Sequence, residues 1–232
     1  LPPSELTGPG WHVAARCLPA RVVAGDFYDV LQRADGSVDL IVADVAGKVF
    51  AASLIMASVK AMLPFVTAAG GVAESLASLN RRLVPELGRG EFVALTIARY
   101  LPSEQTVEIA NAGAPDPYLV GPGQTPRSLP VPGPRLPLGI RAEVAYASHT
   151  KQMSADEHLL LLTDGLPEAR DPEGEPLGYQ TLESMISAEP AVATPSLWLT
   201  NLFDRVQRRT ERAPEDDWTA AMLVPDDSSQ EP

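Results

Sequence analysis

The chain of 232 residues carries 18 Lys and Arg against 30 Asp and Glu, a formal net charge of -12, with 45% hydrophobic and 21% charged residues. That length suits one domain or two small ones with a sizeable core, and the acidic balance argues against a nucleic-acid binder, which needs a basic face. The single Cys17 excludes an intrachain disulfide and fits a reducing compartment, so a cytoplasmic setting is expected. No signal-peptide pattern opens the chain. The start Leu1-Pro2-Pro3-Ser4, without Met, is expected to be a cut within a longer protein.

Residues 1–10, rich in Pro and Gly, are expected to be a linker or the end of an upstream region with little structure. Alternation of Trp11, Val13, Ala15 and Cys17 with His12, Ala14 and Arg16 predicts a strand over 11–18, with Cys17 in an edge strand. A second strand is predicted over 21–31, then a hairpin turn at Ala34-Asp35-Gly36-Ser37 from its Asp-Gly pair. The third strand, 38–43, is apolar on both faces and hence central. Small apolar residues over 50–65 predict a helix weakened towards its end by Pro64. Ser53, Ser58, Lys60 and Pro64 interrupt this most apolar window, so a buried helix is expected and not a membrane span. Leu76, Leu79, Leu83 and Leu87 predict a second helix over 72–87.

Residues 92–100 and 106–112 read as a hairpin, 118–120 as a short strand, and 121–137 as a Pro/Gly-rich surface connection. Further strands are predicted over 143–149, 158–163 and 218–224, with helices over 178–188 and 195–211. The tail 225–232 reads as disordered. Strands mostly in hairpins, with two long helices and two later ones, make an α+β domain over 11–224, helices layered on antiparallel sheets.

Asp26, Asp44, Asp164 and the pair Asp216-Asp217 each lie beside a strongly apolar strand, Asp26 fitting the pattern less tightly. A carboxylate at the end of a buried strand is costly unless something compensates it. Hard cations compensate it well, because Mg²⁺, Mn²⁺ and Ca²⁺ take oxygen ligands, and two ions about 4 Å apart can clamp a phosphoryl group. Aspartates also cap turns, and over 22–52 taken alone the two readings stand level. No phosphate-binding Gly-x-x-x-x-Gly-Lys loop, His-Glu-x-x-His or Gly-x-Ser-x-Gly offers rival machinery.

Ala24-Gly25-Asp26-Phe27-Tyr28-Asp29-Val30, Ala43-Asp44-Val45-Ala46-Gly47-Lys48, Ala110-Asn111-Ala112-Gly113, Leu136-Pro137-Leu138-Gly139-Ile140, Leu162-Thr163-Asp164-Gly165 and Glu215-Asp216-Asp217-Trp218-Thr219 occur in this order. Together they resemble the SpoIIE/RsbU-like bacterial branch of the metal-dependent protein phosphatase 2C (PPM) superfamily, over 11–224. The resemblance implies an αββα sandwich of two antiparallel sheets flanked by helix pairs. It implies hydrolysis of phosphoserine or phosphothreonine by metal-activated water, with two Mn²⁺ or Mg²⁺ ions. Carried over by position, Asp44 would bridge both ions, Asp26 and the Val45 carbonyl would complete one site, and Asp164 and Asp216 the other. Asp217 would be a further ion ligand or hold ligands or waters around the ions, and Lys48 would contact the phosphate or be a solvated helix-start lysine. The implied partners are a phosphorylated STAS-domain anti-sigma-factor antagonist, an upstream sensor domain and a second copy of the chain. A regulatory binding module with little turnover is the alternative function, and a hydrolase of small phosphate esters the third.

Departures from the family pattern are Val49 and Ala114, where relatives carry Gly and His, and the milder Ala24 for Gly. Asn111 is expected to fix a turn, Glu168 and Arg170 to form a surface pair or order a switch helix, and His12, His149 and His158 to be structural.

Overall fold

The computed structural model describes residues 1–21, 24–47, 49–121, 123–189 and 194–226. Its first element corrects the expectation of an unstructured start. β1 (Glu5–Gly8) pairs antiparallel with β2 (Trp11–Leu18) across a tight turn in which Gly10 takes φ +80°. Only Leu6 of that strand packs on the core, too little apolar signal to read as a strand. The predicted strand over 21–31 starts later: β3 (Phe27–Gln32) leaves Asp26 just outside it, and residues 22 and 23 lie outside the described residues.

The Asp-Gly turn forms as predicted, with Asp35 accepting from the Ser37 amide at 3.0 Å and hydroxyl at 2.6 Å. β4 (Val38–Ala46) runs past its predicted end and carries Asp44 and Val45 inside the strand. Two helices follow, α1 (Val49–Val66) and α2 (Val72–Leu83). α2 stops short of Leu87, whose amide closes a turn onto the Leu83 carbonyl at 3.1 Å. Next come β5 (Phe92–Leu101), β6 (Thr106–Ala112), β7 (Tyr118–Val120) and β8 (Arg127–Ser128). The predicted surface connection therefore holds a short strand, and it also buries Leu129 and Val131. The strand predicted over 143–149 is displaced to β9 (Ser148–Gln152), while Val144 and Tyr146 pack as irregular chain in the core near α2. β10 (His158–Leu162), α3 (Gly165–Glu168), α4 (Gly178–Ser187), α5 (Pro195–Thr210) and β11 (Trp218–Pro225) complete the chain.

The strands form two antiparallel sheets, β1-β2-β11-β10-β7-β8 and β3-β4-β5-β6-β9. β2 is an internal strand, between β1 and β11, although β1 reaches only Trp11–Ala14 and Cys17 is paired on one side, with Thr219. Period-two alternation assigns the faces. Leu40 and Val42 of β4 join Val13, Leu159, Leu161, Ala221 and Leu223 in the core between the sheets. Ile41, Ala43 and Val45 face the other way and pack with Val59, Leu63, Leu76 and Leu79 of α1 and α2. Leu160, Leu162, Ala220 and Met222 pack with Leu182, Leu199, Leu202 and Phe203 of α4 and α5. The layers are α, β, β, α, the expected sandwich. Each fully buried Leu or Phe contributes roughly 1.5–3 kcal/mol. No described helix is long and apolar enough to cross a membrane.

One polar cluster is buried beneath α1. Arg99 and Asp39 are register partners on β5 and β4, bonded through Nε–Oδ1 at 2.6 Å and Nη2–Oδ2 at 3.1 Å. Arg99 also donates to the Thr67 carbonyl at 3.0 Å and to Gly70 at 2.7 Å, and Arg33 to Ala68 at 3.1 Å, which satisfies carbonyls at the end of α1. Midway along α1, Lys60 bonds Asp29 of β3 at 2.8 Å. Arg99→Met leaves the fully buried Asp39 with Arg33 alone, at 3.5 Å, and is expected to cost about 3 kcal/mol in urea unfolding. Combining it with Asp39→Leu should cost less than the two single changes summed.

Candidate active site

Alternation places the site before any side-chain contact is considered. Asp26 shares parity with Tyr28, Asp44 with Val42, Thr163 with Leu161, and Asp217 with Ala221, all of which face the space between the sheets. These positions continue that face past the end of the apolar core, where four strands from both sheets run out. Asp216 and Asp164 lie just beyond strand ends, Asp164 as the residue before α3.

Two glycines let the segments close up. A Cβ on Gly25 would lie 3.0 Å from the Val45 carbonyl oxygen and 3.8 Å from carboxylate oxygens of both Asp44 and Asp217. A Cβ on Gly165 would overlap the Asp217 carbonyl oxygen. Hydrogen bonds then orient the acids. Thr163 donates from its hydroxyl to Asp26 Oδ2 at 2.7 Å and accepts from the Thr219 amide at 3.1 Å. The Asp217 carboxylate accepts from the amides of Ala20 at 2.7 Å, Gly25 at 2.6 Å and Asp26 at 3.3 Å. Asp217 in turn donates its own amide to Asp216 Oδ1 at 2.9 Å.

A cavity of about 260 Å³ opens at this point, walled by Arg21, Asp44, Val45, Glu215, Asp216 and Asp217. Asp26 is buried behind it, and Asp164 stands close enough to act on Asp44 electrostatically. Burial, then the charges of Asp164, Asp216 and Asp217, push the Asp44 carboxyl up to about 7. Burial and the Asp44 charge raise Asp26 well above the usual carboxylate range, against the Thr163 hydrogen bond. Asp164 is raised by burial and by Glu168 and Asp216. These acids repel one another in a partly dehydrated place.

Among the described residues, no three His, Cys, Asp or Glu side chains form a ready-made cage for an ion. The donor chemistry nevertheless fits Mg²⁺ or Mn²⁺. The candidate donors are all oxygen, and such ions keep several waters and bind through one or two carboxylates each. A cation would also reverse the repulsion that raises the carboxyl pKa values.

Of the residues expected at the site, Asp26, Asp44, Val45, Asp164, Asp216 and Asp217 come together, whereas Lys48 lies outside the described residues. Arg21 was not anticipated; it supplies the cation among the described residues that wall the cavity. Its only sequence signal is its place four residues before Gly25-Asp26. Asn111 does fix a turn, accepting from the Ala114 amide at 2.9 Å and donating to the Ala114 and Pro115 carbonyls. Arg170 approaches Glu215 at 4.0 Å, a pairing across the chain in place of the expected one with Glu168. Burial pushes the Cys17 thiol up to about 11, which makes it a poor nucleophile.

The profile of the family described as Stage II sporulation protein E (SpoIIE) matches residues 34–224. Phosphoserine phosphatase RsbU of Bacillus subtilis (strain 168) is 25% identical over 213 residues, or 91% of this chain and 62% of that protein. The chain thus spans less than two thirds of this curated relative. The solved RsbU and RsbW domains of a Mycobacterium tuberculosis protein superpose with a TM-score of 0.79 at 24% identity, over 96% of this chain and 62% of that one. The SiaA-PP2C domain of Pseudomonas aeruginosa gives a TM-score of 0.79 at 19% identity, over 92% of this chain and 86% of that one. The two structural likenesses establish the fold.

Asp44→Asn removes one of the mutually repelling charges. The cation-free variant should therefore melt no lower than wild type, while Mg²⁺ or Mn²⁺ should raise the Tm of the wild type and not that of the variant. Thermal melts with and without EDTA check both parts.

Proposed function

The chain belongs to the SpoIIE family, and from that membership we propose that it is a metal-dependent protein phosphatase acting on phosphoserine or phosphothreonine. The observation that carries the reading is that Asp44 and Asp216, one from each sheet, wall a single cavity with an arginine, while Asp26 is buried beside Asp44 and Asp164 is near enough to act on its charge. The name of the B. subtilis relative, phosphoserine phosphatase, supports it. Asp26, Asp44 and the Val45 carbonyl would hold one divalent ion, and Asp44, Asp164 and Asp216 a second. When bound, Mg²⁺ or Mn²⁺ supplies an activated water and neutralises charge on the phosphoryl group.

The chain's own groups do the rest. The apolar layer formed by Tyr28, Val42 and Leu161 closes the floor of the site and keeps bulk water from the acids. Thr163 fixes the Asp26 carboxylate, and Asp217 fixes the backbone that carries it. Arg21 presents a guanidinium suited to a phosphate dianion at the rim. Without cations the cavity would repel that dianion, so activity should be strictly metal-dependent. The proposed substrate is a phosphorylated STAS-domain anti-sigma-factor antagonist, with an upstream sensor domain in the full protein, within a cytoplasmic partner-switching pathway.

Hydrolysis of p-nitrophenyl phosphate and of a phosphoserine protein should need Mn²⁺ or Mg²⁺, stop in EDTA and vanish in Asp44→Asn. Turnover that survives EDTA would sink the reading. Arg21→Met should raise KM for the phosphoprotein about tenfold, the loss of one charge-assisted hydrogen bond, with Tm unchanged. An unaltered KM would remove Arg21 from the phosphate site.

A further inference from the structure

A residue expected to attend the ions is committed elsewhere. The Asp217 side chain is buried, at 6% exposure, and both of its oxygens are taken by backbone amides. Oδ1 accepts from Ala20 at 2.7 Å, and Oδ2 from Gly25 at 2.6 Å and Asp26 at 3.3 Å. One carboxylate thereby joins Ala20 to Gly25 and Asp26. Such bonds are charge-assisted and stronger than those between neutral groups. The same residue reaches two further acid-bearing segments through its main chain. Its amide donates to Asp216 Oδ1 at 2.9 Å, and its carbonyl packs against Gly165, next to Asp164.

We propose that Asp217 is a positioning residue that sets the spacing of Asp26, Asp216 and Asp164 and holds Arg21 at the rim, and that it is not an ion ligand. The inference deepens the phosphatase reading and rests on it for its catalytic consequences. The strap itself is a property of the cation-free chain and can be measured there.

Asp217→Ala removes both acceptors, and Asp217→Asn keeps one and turns a donor towards the other amides. In cation-free protein, hydrogen exchange at the amides of Ala20, Gly25 and Asp26 should speed up at least tenfold in Asp217→Ala and by less in Asp217→Asn. Exchange in β4 and β5 should stay as in wild type. With substrate, the cation concentration for half-maximal turnover should rise about 10–100-fold, the range for losing a group that orients metal ligands. KM should rise with it, because Arg21 is loosened, while kcat at saturating cation falls by less than KM rises.

Unchanged exchange at the three amides overturns the strap, whatever the protein catalyses. Unchanged exchange together with loss of cation binding by calorimetry, equal to that of Asp216→Asn, would make Asp217 a direct ligand instead. Faster exchange in a protein that hydrolyses no phosphate ester would uphold the strap and reject the phosphatase reading. Should Asp217→Ala fail to fold, Asp217→Asn decides alone, and wild-type exchange and cation requirement in that variant reject the proposal.

Discussion

Carboxylates of like sign held together in a low-dielectric corner oppose the fold that gathers them, and this repulsion organises the rest of the molecule. Burial, and then the charges of Asp164, Asp216 and Asp217, push the Asp44 carboxyl up to about 7. The opposing forces are local and strong. Two apolar sheet faces run continuously up to the acids, glycines admit neighbouring backbone within van der Waals contact, and amide and hydroxyl donors are aimed at Asp217 and Asp26. The arrangement is stable enough to form, yet retains an electrostatic deficit that a divalent cation can fill.

The opposite face of the central sheet is treated differently. There the charges are paired: Asp39 with Arg99 in full burial, and Asp29 with Lys60 on α1. The guanidiniums of Arg99 and Arg33 also satisfy carbonyls after the end of α1. α1 is thus fastened at its far end and its middle, while Ala52 near its start lines the cavity. A pairing that satisfies every charge gives rigidity, and a cluster that leaves charge unbalanced gives binding. The chain uses both within the same strand, β4, at Asp39 and Asp44.

How much of this the sequence discloses depends on how local each cause is. The Asp35-Gly36 turn, the alternation from Trp11 and the first long helix are written in neighbouring residues, and they formed where predicted, while α2 ended four residues early. Asp26, Asp44, Asp164 and Asp216 were legible as acids beside apolar strands, and the ordered motifs joined them into one site. β1 was missed because a single apolar residue carries it. The strand at 143–149 was misplaced because Val144 and Tyr146 alternate as a strand would, yet pack as irregular chain. Arg21 bears no motif of its own. The role of Asp217 depends on amides 191 to 197 residues away, a separation that no local pattern reports.

The placement of β11 has a temporal meaning. This strand is the latest of the described elements to be synthesised, yet it is inserted between β2 and β10 in the interior of its sheet. Asp216 and Asp217 arrive with it, and so do the partners that hold Thr163, Ala20 and Gly25. A chain emerging from the ribosome therefore carries Asp26 and Asp44 for most of its synthesis, and Asp164 for some fifty residues more, without the piece that draws them together. Long-range β pairing of this kind is slow to close. Any ion that these acids hold would accordingly wait for the finished fold, and a nascent chain that ends before β11 lacks the Asp217 bonds even with most of its acids in place.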